Sequence, residues 1–369
     1  VEAHNNLGNM LQKLQRLDEA EASLRKAIDY KPDYVEAHYN LGIMLQELGR
    51  LDESIEFLKQ TIELNPDFIE GRRSLNAVSS SAVKGWHVPM MNDKVRNNAY
   101  SEAIKLAVDD GAFVLDIGTG SGLLSLMAAA NGAGKVITCE TSKTIAKVAK
   151  EIVHSNGFGK KISVLNKKST DLIVGKDLPK KADLIISEVL SAEFVGEGVR
   201  ATALDAKQRL LKRNGKMIPQ SGKIRISLIG DSPEVFDATT VTNVNGFDLS
   251  KFNSITKTKL GLSLRDKPLL LSPPIDAFNI NICDGNEVLK EEKIITLQAN
   301  RDGLCLGIIQ WLWVHLYKDI EYENKPGEND SHWHTPVYLF DQPIRLKAGD
   351  VLNVKAVLEQ DKVWFYLSS

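Results

Sequence analysis

The stretch Val114-Leu115-Asp116-Ile117-Gly118-Thr119-Gly120-Ser121-Gly122-Leu123-Leu124 decides the fold of this 369-residue chain. The apolar residues 112–115 predict a buried strand, and the acid and glycines that follow predict a tight turn. Residues 123–130, rich in Leu and Ala, then predict a helix. Glycines let a backbone approach a ligand closely, because no Cβ intervenes. The stretch therefore indicates a ligand-binding strand–turn–helix unit in an α/β domain.

The glycine spacing argues against a dinucleotide at this turn. The pattern is G-x-G-x-G, and Leu123 stands where the dinucleotide fingerprint needs its last glycine. An acid that opens the turn suits a cofactor with an amino group, such as S-adenosylmethionine (SAM). The next predicted strand ends on Glu140, which is placed to accept hydrogen bonds from ribose hydroxyls. A glycine-rich turn of some other α/β protein is the alternative. The cofactor-binding candidates, which together resemble motifs I and post-I of the class I SAM-dependent methyltransferases, are Asp116, Gly118, Gly120 and Glu140.

Length, composition and charge narrow the class of protein. The chain is long enough for two or three domains, and 43% hydrophobic and 25% charged residues are typical of a globular protein. A formal net charge of −2 gives no basic field, so we expect no direct nucleic-acid binding. Three cysteines fit a reducing compartment, and we expect a cytoplasmic protein, or a nuclear one in a eukaryote.

Several absences complete this picture. No apolar run is long enough to span a membrane, and we expect no membrane association. The histidines His4 and His38 have no carboxylate or cysteine at ligand spacing, so no metal site is expected. The chain begins on Val1 in mid-helix pattern and without Met, which indicates a piece of a longer protein.

The first part of the chain contains one unit twice. Val1-Glu-Ala-His-Asn-Asn-Leu-Gly returns as Val35-Glu-Ala-His-Tyr-Asn-Leu-Gly, an offset of 34 residues. This pattern resembles tetratricopeptide repeats, here 1–34 and 35–68 of a repeat domain over 1–80. The resemblance implies a peptide or protein partner in the repeat groove. About three repeats are needed for stability, so more repeats precede Val1 or the pair packs on the next part of the chain. Ser79-Ser80-Ser81 predicts a linker.

A segment ahead of the glycine turn resembles one particular family of these methyltransferases. Residues 87–100 read H-x-x-M-x-x-D-x-x-R-x-x-x-Y and resemble the protein arginine methyltransferases. The resemblance implies that Arg96 binds the carboxylate of SAM, for which a planar fork of donors is suited. It places His87 near the methionine moiety and gives Met90 a part in shaping the site.

Two features depart from the family pattern. In the loop after the third predicted strand, Thr170 stands where a glutamate commonly contacts adenine, so the contact is expected from Thr170 or Ser169. The tyrosine-rich helix of the asymmetric-dimethylating members is missing, and residues 82–86 stand in its place. This favours a monomethyl or symmetric dimethyl product.

A pair of glutamates follows the strand predicted over 182–187. Glu188 and Glu197 match the paired glutamates of the family's catalytic loop, with Glu193 as an accessory acid. A guanidinium with a pKa above about 12 stays protonated, and the sulfonium of SAM is also cationic. Two carboxylates supply the compensating charge and grip the guanidinium fork. The loop is closest to the seven-type and nine-type members, and the repeats favour the nine-type. The alternative for Glu197 is a helix-opening acid.

The remaining residues, 220–369, alternate in short apolar segments that predict an antiparallel barrel or sandwich, and we expect the β-barrel. Residues 231–261 predict a helical excursion that resembles the family's dimerisation arm and implies a homodimer. Residues 321–330 predict a loop that either gates substrate or product or is a disordered connection. Ser331-His332-Trp333 resembles the family's T-H-W, which implies that Trp333 lies beside the substrate arginine and His332 pairs with Asp93 as a proton route.

These observations predict helical repeats (all-α), a Rossmann-like class I SAM methyltransferase domain over 81–219 (α/β) and the β-barrel domain (all-β). The predicted function is SAM-dependent N-methylation of arginine in protein substrates, with S-adenosylhomocysteine as product. Catalysis is assigned to Glu188, Glu197, His332 and Asp93. The alternatives are a catalytically inactive repeat scaffold and a methyltransferase that acts on a small molecule.

Overall fold

A computed structural model describes residues 1–196, 198–231, 233–256, 258–262, 267–282, 290–328 and 331–368. The chain divides into two compact units. The first comprises residues 1–87 and 142–147, and the second comprises 88–141 and 148–369. Over the described ranges, no helix combines the length and apolar character that a membrane crossing needs.

The first unit is helical, and glycines allow its helices to pack closely. A Cβ on Gly8 would lie 2.6 Å from Cγ of Leu24, and one on Gly42 would lie 2.8 Å from Cγ of Leu58. The repeated Leu-Gly therefore brings the two helices of each repeat into contact. The helices are α1 (Glu2–Lys13), α2 (Leu17–Tyr30), α3 (Val35–Glu47), α4 (Leu51–Leu64) and α5 (Ile69–Ala82).

The linker predicted at Ser79-Ser80-Ser81 is wrong, since these residues form the last turn of α5. The hydroxyl of Ser80 donates to the carbonyl of Asn76, and that of Ser81 to the carbonyl of Ala77. Serine hydroxyls that bond back to the preceding turn satisfy themselves within the helix. The apolar residue Val78 is buried against Ile55 and Leu58 of α4, which holds the helix to the unit.

The second unit contains a parallel sheet with the strand order β3-β2-β1-β4-β5. Strand β1 lies between β2 and β4, so the order reverses there, and ligands of such sheets bind beyond the carboxyl ends of these strands. The helices and strands over residues 87–218, of which His87 and residues 143–147 belong to the first unit, are α6 (His87–Asn92), α7 (Lys94–Ala107), β1 (Phe113–Ile117), α8 (Leu123–Ala130), β2 (Lys135–Glu140), α9 (Lys143–Ser155), β3 (Ile162–Asn166), β4 (Ala182–Ser187), α10 (Val199–Asp205) and β5 (Leu211–Ile218).

Antiparallel sheets follow, as the alternating segments predict. One has the order β10-β6-β12-β14-β9 with β13 beside β12, and another has the order β11-β15-β16. The ring of Tyr338 on β14 meets that of Phe365 on β16 edge-on at 5.1 Å and joins the two sheets. The elements are β6 (Ser221–Gly230), α11 (Pro233–Thr239), β7 (Asn243–Val244), β8 (Phe247–Asp248), β9 (Lys259–Leu262), β10 (Ile275–Asn281), β11 (Lys290–Gln298), β12 (Gly303–Tyr317), β13 (Ile320–Glu323), β14 (Thr335–Leu346), β15 (Val351–Glu359) and β16 (Lys362–Leu367).

The excursion over 231–261 is less helical than the sequence predicts. After α11 the chain forms the hairpin β7–β8, and a 3₁₀ helix follows over Ser250–Ile255. The hairpin turns at Asn245 and Gly246, whose φ angles are 52° and 89°. Asn-Gly is a strong hairpin signal because both residues tolerate a positive φ. The excursion therefore combines a helix with a hairpin.

The loop predicted over 321–330 is also partly wrong. Residues 321–323 belong to β13, which pairs antiparallel with β12, Tyr322 opposite Val314. The run Ile-Glu-Tyr-Glu over 320–323 alternates apolar and acidic residues, which is a strand pattern. Tyr322 is buried as a result.

Candidate active site

Asp116 stands at the switch point of the parallel sheet, on β1 between β2 and β4. It is fully buried, and its Oδ2 accepts hydrogen bonds from the hydroxyls of Ser125 at 2.6 Å and Thr138 at 3.1 Å. Burial raises the pKa of Asp116 to about 7, although both hydrogen bonds act in the opposite direction. Near neutral pH this carboxyl can therefore exchange a proton.

The turn after Asp116 has the backbone geometry that its glycines allow. Gly118, Gly120 and Gly122 have φ angles of 84°, 51° and 85°, in the left-handed region that side chains disfavour. The N–H of Gly118 donates to the carbonyl of Cys139, which ties the turn to β2. The N–H of Gly120 donates to Oε2 of Glu140 at 3.2 Å. The strand-end acid therefore lies directly beside the glycine turn.

A buried ion pair joins α7 to the end of β4. Nη2 of Arg96 lies 2.6 Å from Oε2 of Glu188, and their side chains are only 3% and 6% exposed. Burial raises the pKa of Glu188, against the charge and hydrogen bond of Arg96. For Arg96, burial would lower the pKa, but the charge and hydrogen bond of Glu188, together with the charges of Tyr100 and Asp93, outweigh burial, and the pKa is raised. The guanidinium also lies over the ring of Tyr100 at 5.1 Å.

Each of these charged groups has an atom without a hydrogen-bond partner. Among the described residues, the buried atoms left unpaired include Nε of Arg96, Oε1 of Glu188 and Oδ1 of Asp116. Buried polar atoms in native proteins are nearly always paired, because an unpaired one costs about 1–3 kcal/mol. Unpaired donors and acceptors on these three side chains indicate a site for a polar ligand.

Asp93 connects this pair to the β domain. Its Oδ1 accepts from the backbone N–H of Arg96 at 2.9 Å and so caps α7. Its Oδ2 lies 3.1 Å from Nδ1 of His332 and 3.2 Å from the hydroxyl of Tyr322. Burial would raise the pKa of Asp93, but hydrogen bonds from His332 and Arg96 lower it, so the carboxylate is anionic at neutral pH.

Trp333 lies against the loop that follows Glu188. Its indole N–H donates to the carbonyl of Leu190 at 3.3 Å. Its ring packs on that of His332 at 4.1 Å and on that of Tyr322 at 5.7 Å. Four residues with predicted roles in substrate binding or proton transfer therefore lie together at one end of the parallel sheet: Asp93, Glu188, His332 and Trp333.

Three other predicted residues are Glu197, Met90 and His87. Glu197 lies outside the described residues. Met90 is buried on α6, three positions before Asp93. His87 belongs to the first unit, where its ring stacks on that of Trp86 at 4.0 Å.

The predicted adenine contacts lie after β3, in a 3₁₀ turn over Ser169–Asp171. Ser169 is buried and Thr170 is exposed. Arg209 fixes this turn, because its Nη2 donates to the carbonyls of Ser169 at 3.2 Å and Thr170 at 3.1 Å. Across the described ranges, no group of three or more His, Cys, Asp or Glu residues is arranged to hold a metal ion.

Tyr322 and Tyr100 form hydrogen bonds in the site that the sequence does not predict. The Tyr322 hydroxyl bonds both Asp93 and, at 3.2 Å, the hydroxyl of Ser331. The Tyr100 hydroxyl donates to the carbonyl of Ser187 at 3.4 Å, next to Glu188. The alternation around Tyr322 is a signal that could have placed it on a strand, whereas its pairing with Asp93 requires the fold.

Comparison with known proteins identifies the family. The tetratricopeptide repeat model matches residues 1–67, which confirms the repeats, and the ribosomal protein L11 methyltransferase (PrmA) model matches residues 101–225. The chain is 33% identical over 278 residues to arginine N(omega)-methyltransferase of Streptomyces achromogenes subsp. streptozoticus, covering 74% of this chain and 76% of that protein. The chain belongs to the protein arginine methyltransferase family.

Other relatives are longer. The protein is 32% identical over 250 residues to protein arginine N-methyltransferase 7 of Oryza sativa subsp. indica, which covers 62% of this chain but 34% of the relative. It is also 31% identical over 291 residues to the histone-arginine methyltransferase CARMER of Culex quinquefasciatus, covering 73% of this chain and 47% of that one. The chain thus spans a third to a half of these plant and insect relatives.

Solved structures support the fold of this arginine methyltransferase. A Trypanosoma brucei PRMT1 enzyme–prozyme heterotetrameric complex with AdoHcy has a TM-score of 0.67 at 23% identity, covering 78% of this chain and 93% of that chain. Arabidopsis thaliana protein arginine methyltransferase 10 has a TM-score of 0.62 at 21% identity, covering 75% and 96%. The predicted combination of helical repeats, Rossmann-like domain and antiparallel β domain is confirmed.

Proposed function

We propose that this protein transfers a methyl group from SAM to a guanidino nitrogen of arginine in protein substrates, as a protein-arginine N-methyltransferase (EC 2.1.1.-). The observation that carries the proposal is the buried Arg96–Glu188 pair, which keeps an unpaired atom on each side chain. A cationic donor and an anionic acceptor are thus presented together, beside the His332–Asp93 pair.

The residues of the sheet end fit SAM. The unpaired Nε of Arg96 and its planar fork suit the cofactor's carboxylate, and the unpaired Oδ1 of Asp116 suits a donor. Glu140, beside the glycine turn, suits the ribose hydroxyls, while Ser169 or Thr170 would contact adenine. His87 and Met90 would adjoin the methionine moiety. When bound, SAM supplies an electrophilic methyl group on a sulfonium.

Glu188 makes it possible for an arginine to enter beside a second cation. In the buried Arg96–Glu188 pair the two charges cancel, and Oε1 of Glu188 can still accept from an incoming guanidinium. We propose Glu197 as the second carboxylate, because a further buried cation needs a further anion. The two acids would grip the guanidinium fork and leave one nitrogen to face the methyl group, with Trp333 beside the arginine.

His332 and Asp93 provide the route for the proton that the guanidinium loses. The Nδ1 of His332 faces Oδ2 of Asp93, so Nε2 is the nitrogen available for proton exchange. An anionic Asp93 stabilises the imidazolium that forms. The Tyr322 hydroxyl holds Asp93 in this orientation.

The sequence at the front of the domain supports a choice of product type. Residues 82–86 stand where the asymmetric-dimethylating relatives carry a tyrosine-rich helix. On this ground we assign monomethylarginine or symmetric dimethylarginine.

The repeats and the excursion serve protein partners in this proposal. The groove of the repeats binds a peptide or a protein. The excursion over residues 231–261 binds a second copy of the chain. The excursion exposes a cluster of apolar side chains whose exposures range from 44% to 74%: Val244, Phe247, Leu249, Phe252 and Ile255. Sedimentation at micromolar concentration tests the homodimer, and a monomeric mass would contradict it. Cell fractionation tests a cytoplasmic or nuclear location.

A second candidate acceptor is arginine as a free amino acid, because the Streptomyces relative is named for arginine itself. Mass spectrometry of products from an arginine–glycine-rich peptide and from free arginine, each with SAM, separates the two. Turnover of the peptide alone supports the proposal. Turnover of free arginine alone would contradict the proposal and indicate a methyltransferase that acts on a small molecule. SAM binding without any turnover would indicate a catalytically inactive scaffold.

A further inference from the structure

The loop that follows Glu188 is fastened to the β domain by a charged side chain from β9. Nζ of Lys259 lies 2.5 Å from Oε1 of Glu193, and the two side chains are 22% and 25% exposed. The other carboxylate oxygen of Glu193 accepts from the backbone N–H of Val363 at 3.4 Å. Both oxygens of Glu193 are therefore occupied by groups of the β domain.

Lys259 itself sits in an aromatic enclosure. Its Nζ lies 4.8 Å from the centre of the Tyr338 ring and 5.2 Å from that of Trp364. An ammonium over aromatic faces gains attraction from the ring quadrupoles, and its partial burial limits screening by solvent. The backbone carbonyl of Val363 is a further acceptor at 3.4 Å. The ammonium is thus held from several sides, unlike an ordinary surface lysine.

The residue after Glu193 shows that the loop is held in an uncommon conformation. Phe194 has a φ of 71°, which side chains rarely adopt, and it is fully buried. A Cβ on Gly222 would come within 2.0 Å of its ring, so the ring packs directly on the backbone of β6. Such a conformation persists only where the surroundings hold it in place.

We infer that Lys259 is a positioning residue for the methyl transfer. Through Glu193 it holds the loop between Glu188 and Glu197, so that Glu188 keeps the orientation in which it meets Arg96. The inference rests on the proposed function and adds a residue outside the catalytic set. It also removes Glu193 as a candidate acid for the substrate, because its oxygens are already paired.

The test compares kinetics, cofactor binding and loop protection in purified full-length variants. Lys259→Met removes the charge and keeps most of the side-chain volume, whereas Lys259→Arg keeps a cation over the two aromatic rings as the conservative rescue variant. The matched control is Lys355→Met, since Lys355 of β15 pairs with Glu292 of β11 at 2.9 Å, with side chains 34% and 36% exposed.

We expect Lys259→Met to lower kcat for the arginine peptide about 10- to 100-fold, as misplacement of a catalytic group by about 1 Å does. The Kd for SAM should stay at its wild-type value, the thermal midpoint should stay above the assay temperature, and Lys259→Arg should keep most of the wild-type kcat. Hydrogen exchange over residues 188–196 should be faster in Lys259→Met only.

Other results would overturn the inference. They are an unchanged kcat in Lys259→Met, a loss equal to that of Lys355→Met, or a loss in Lys259→Arg as large as in Lys259→Met while both variants fold. A wild type inactive on every arginine acceptor would overturn the proposed function instead. In that case loop exchange decides on Lys259: faster exchange supports positioning, and unchanged exchange overturns it.

Discussion

Two ion pairs of the molecule have the same length but opposite surroundings. Arg96 and Glu188 lie 2.6 Å apart in the active site with side chains 3% and 6% exposed, whereas Arg50 and Glu53 lie 2.6 Å apart in the repeats with side chains 38% and 36% exposed. Arg50 also reaches Glu21 at 2.6 Å, and hydrogen bonds to both acids raise its pKa. Distance alone would rank the two pairs as equals.

Their surroundings make the difference. Removing one partner of a buried pair strands the other charge and costs about 3–5 kcal/mol, whereas exposed pairs contribute about 0–1 kcal/mol. The buried pair is also incomplete, because Nε of Arg96 and Oε1 of Glu188 are unpaired within the described part of the chain. A buried, half-satisfied pair suits ligand binding, while the exposed network suits a helical surface.

The largest effect is expected from Glu188→Gln. The change removes the anion that offsets both Arg96 and the incoming guanidinium, so kcat should fall about 10³-fold. Steady-state kinetics with the arginine peptide measure it, with Glu53→Gln as the matched control from the exposed pair. Activity in Glu188→Gln equal to that of the control would contradict the role of the buried pair.

The next effect concerns Asp116, the fully buried acid near the end of β1. The pKa of Asp116 is about 7 in the folded protein against 3.8 for an ordinary aspartate, so between these values the folded state keeps a proton that the unfolded state has lost. Stability should therefore fall as pH rises from about 4 to about 7, by a few kcal/mol. Urea unfolding of the ligand-free protein at pH 5 and pH 8 measures this.

Asp116→Asn is the control for that titration. As pH rises, the unfolding free energy of the wild type should fall relative to that of Asp116→Asn, because asparagine does not titrate. A difference independent of pH would contradict the raised pKa.

A somewhat smaller effect is expected from Asp93→Asn. Asparagine still caps a helix, so α7 should survive, but the imidazolium of His332 loses its anion. We expect kcat to fall about 10²-fold with an altered pH profile. Tyr322→Phe removes a single donor to the same carboxylate and should cost far less. Equal losses in the two variants would indicate a packing defect.

The smallest effect is expected in the exposed network. Arg50→Met should lower the unfolding free energy by about 1 kcal/mol or less, and the loss should shrink further in high salt. Chemical unfolding at low and high ionic strength measures it. A loss of about 3 kcal/mol in unfolding free energy for Arg50→Met would contradict the difference between the exposed and the buried pair.

The parts of the fold that depend on local pattern could be predicted. The turn at Gly118, Gly120 and Gly122 is recognisable because a strand precedes it and a helix, a second strand and an acid follow in order. The repeats are recognisable because their period is local. The serines over 79–81 mislead, since their hydroxyls bond within α5 and do not end it. Asn245-Gly246 is a hairpin signal that the helical interpretation of the excursion overlooks.

The site was predictable as a set of residues but not as an arrangement. Arg96 and Glu188 received separate roles from the family pattern, and their direct pairing spans 92 positions of sequence. Long-range contacts of this kind depend on the register of the sheets, which no local pattern encodes. The same holds for Tyr322 and Asp93, which are 229 positions apart.

The two oxygens of Asp93 serve different halves of the second unit. One starts the helix that carries Arg96, and the other holds His332 and Tyr322 of the β domain. The Asp93 carboxylate therefore connects the helix α7 to the β domain. The two parts cannot be exchanged between relatives independently of each other. A chimera that takes residues 81–219 from one relative and the β domain from another must keep Asp93 together with His332 and Tyr322. Without all three, His332 will be misaligned as proton acceptor.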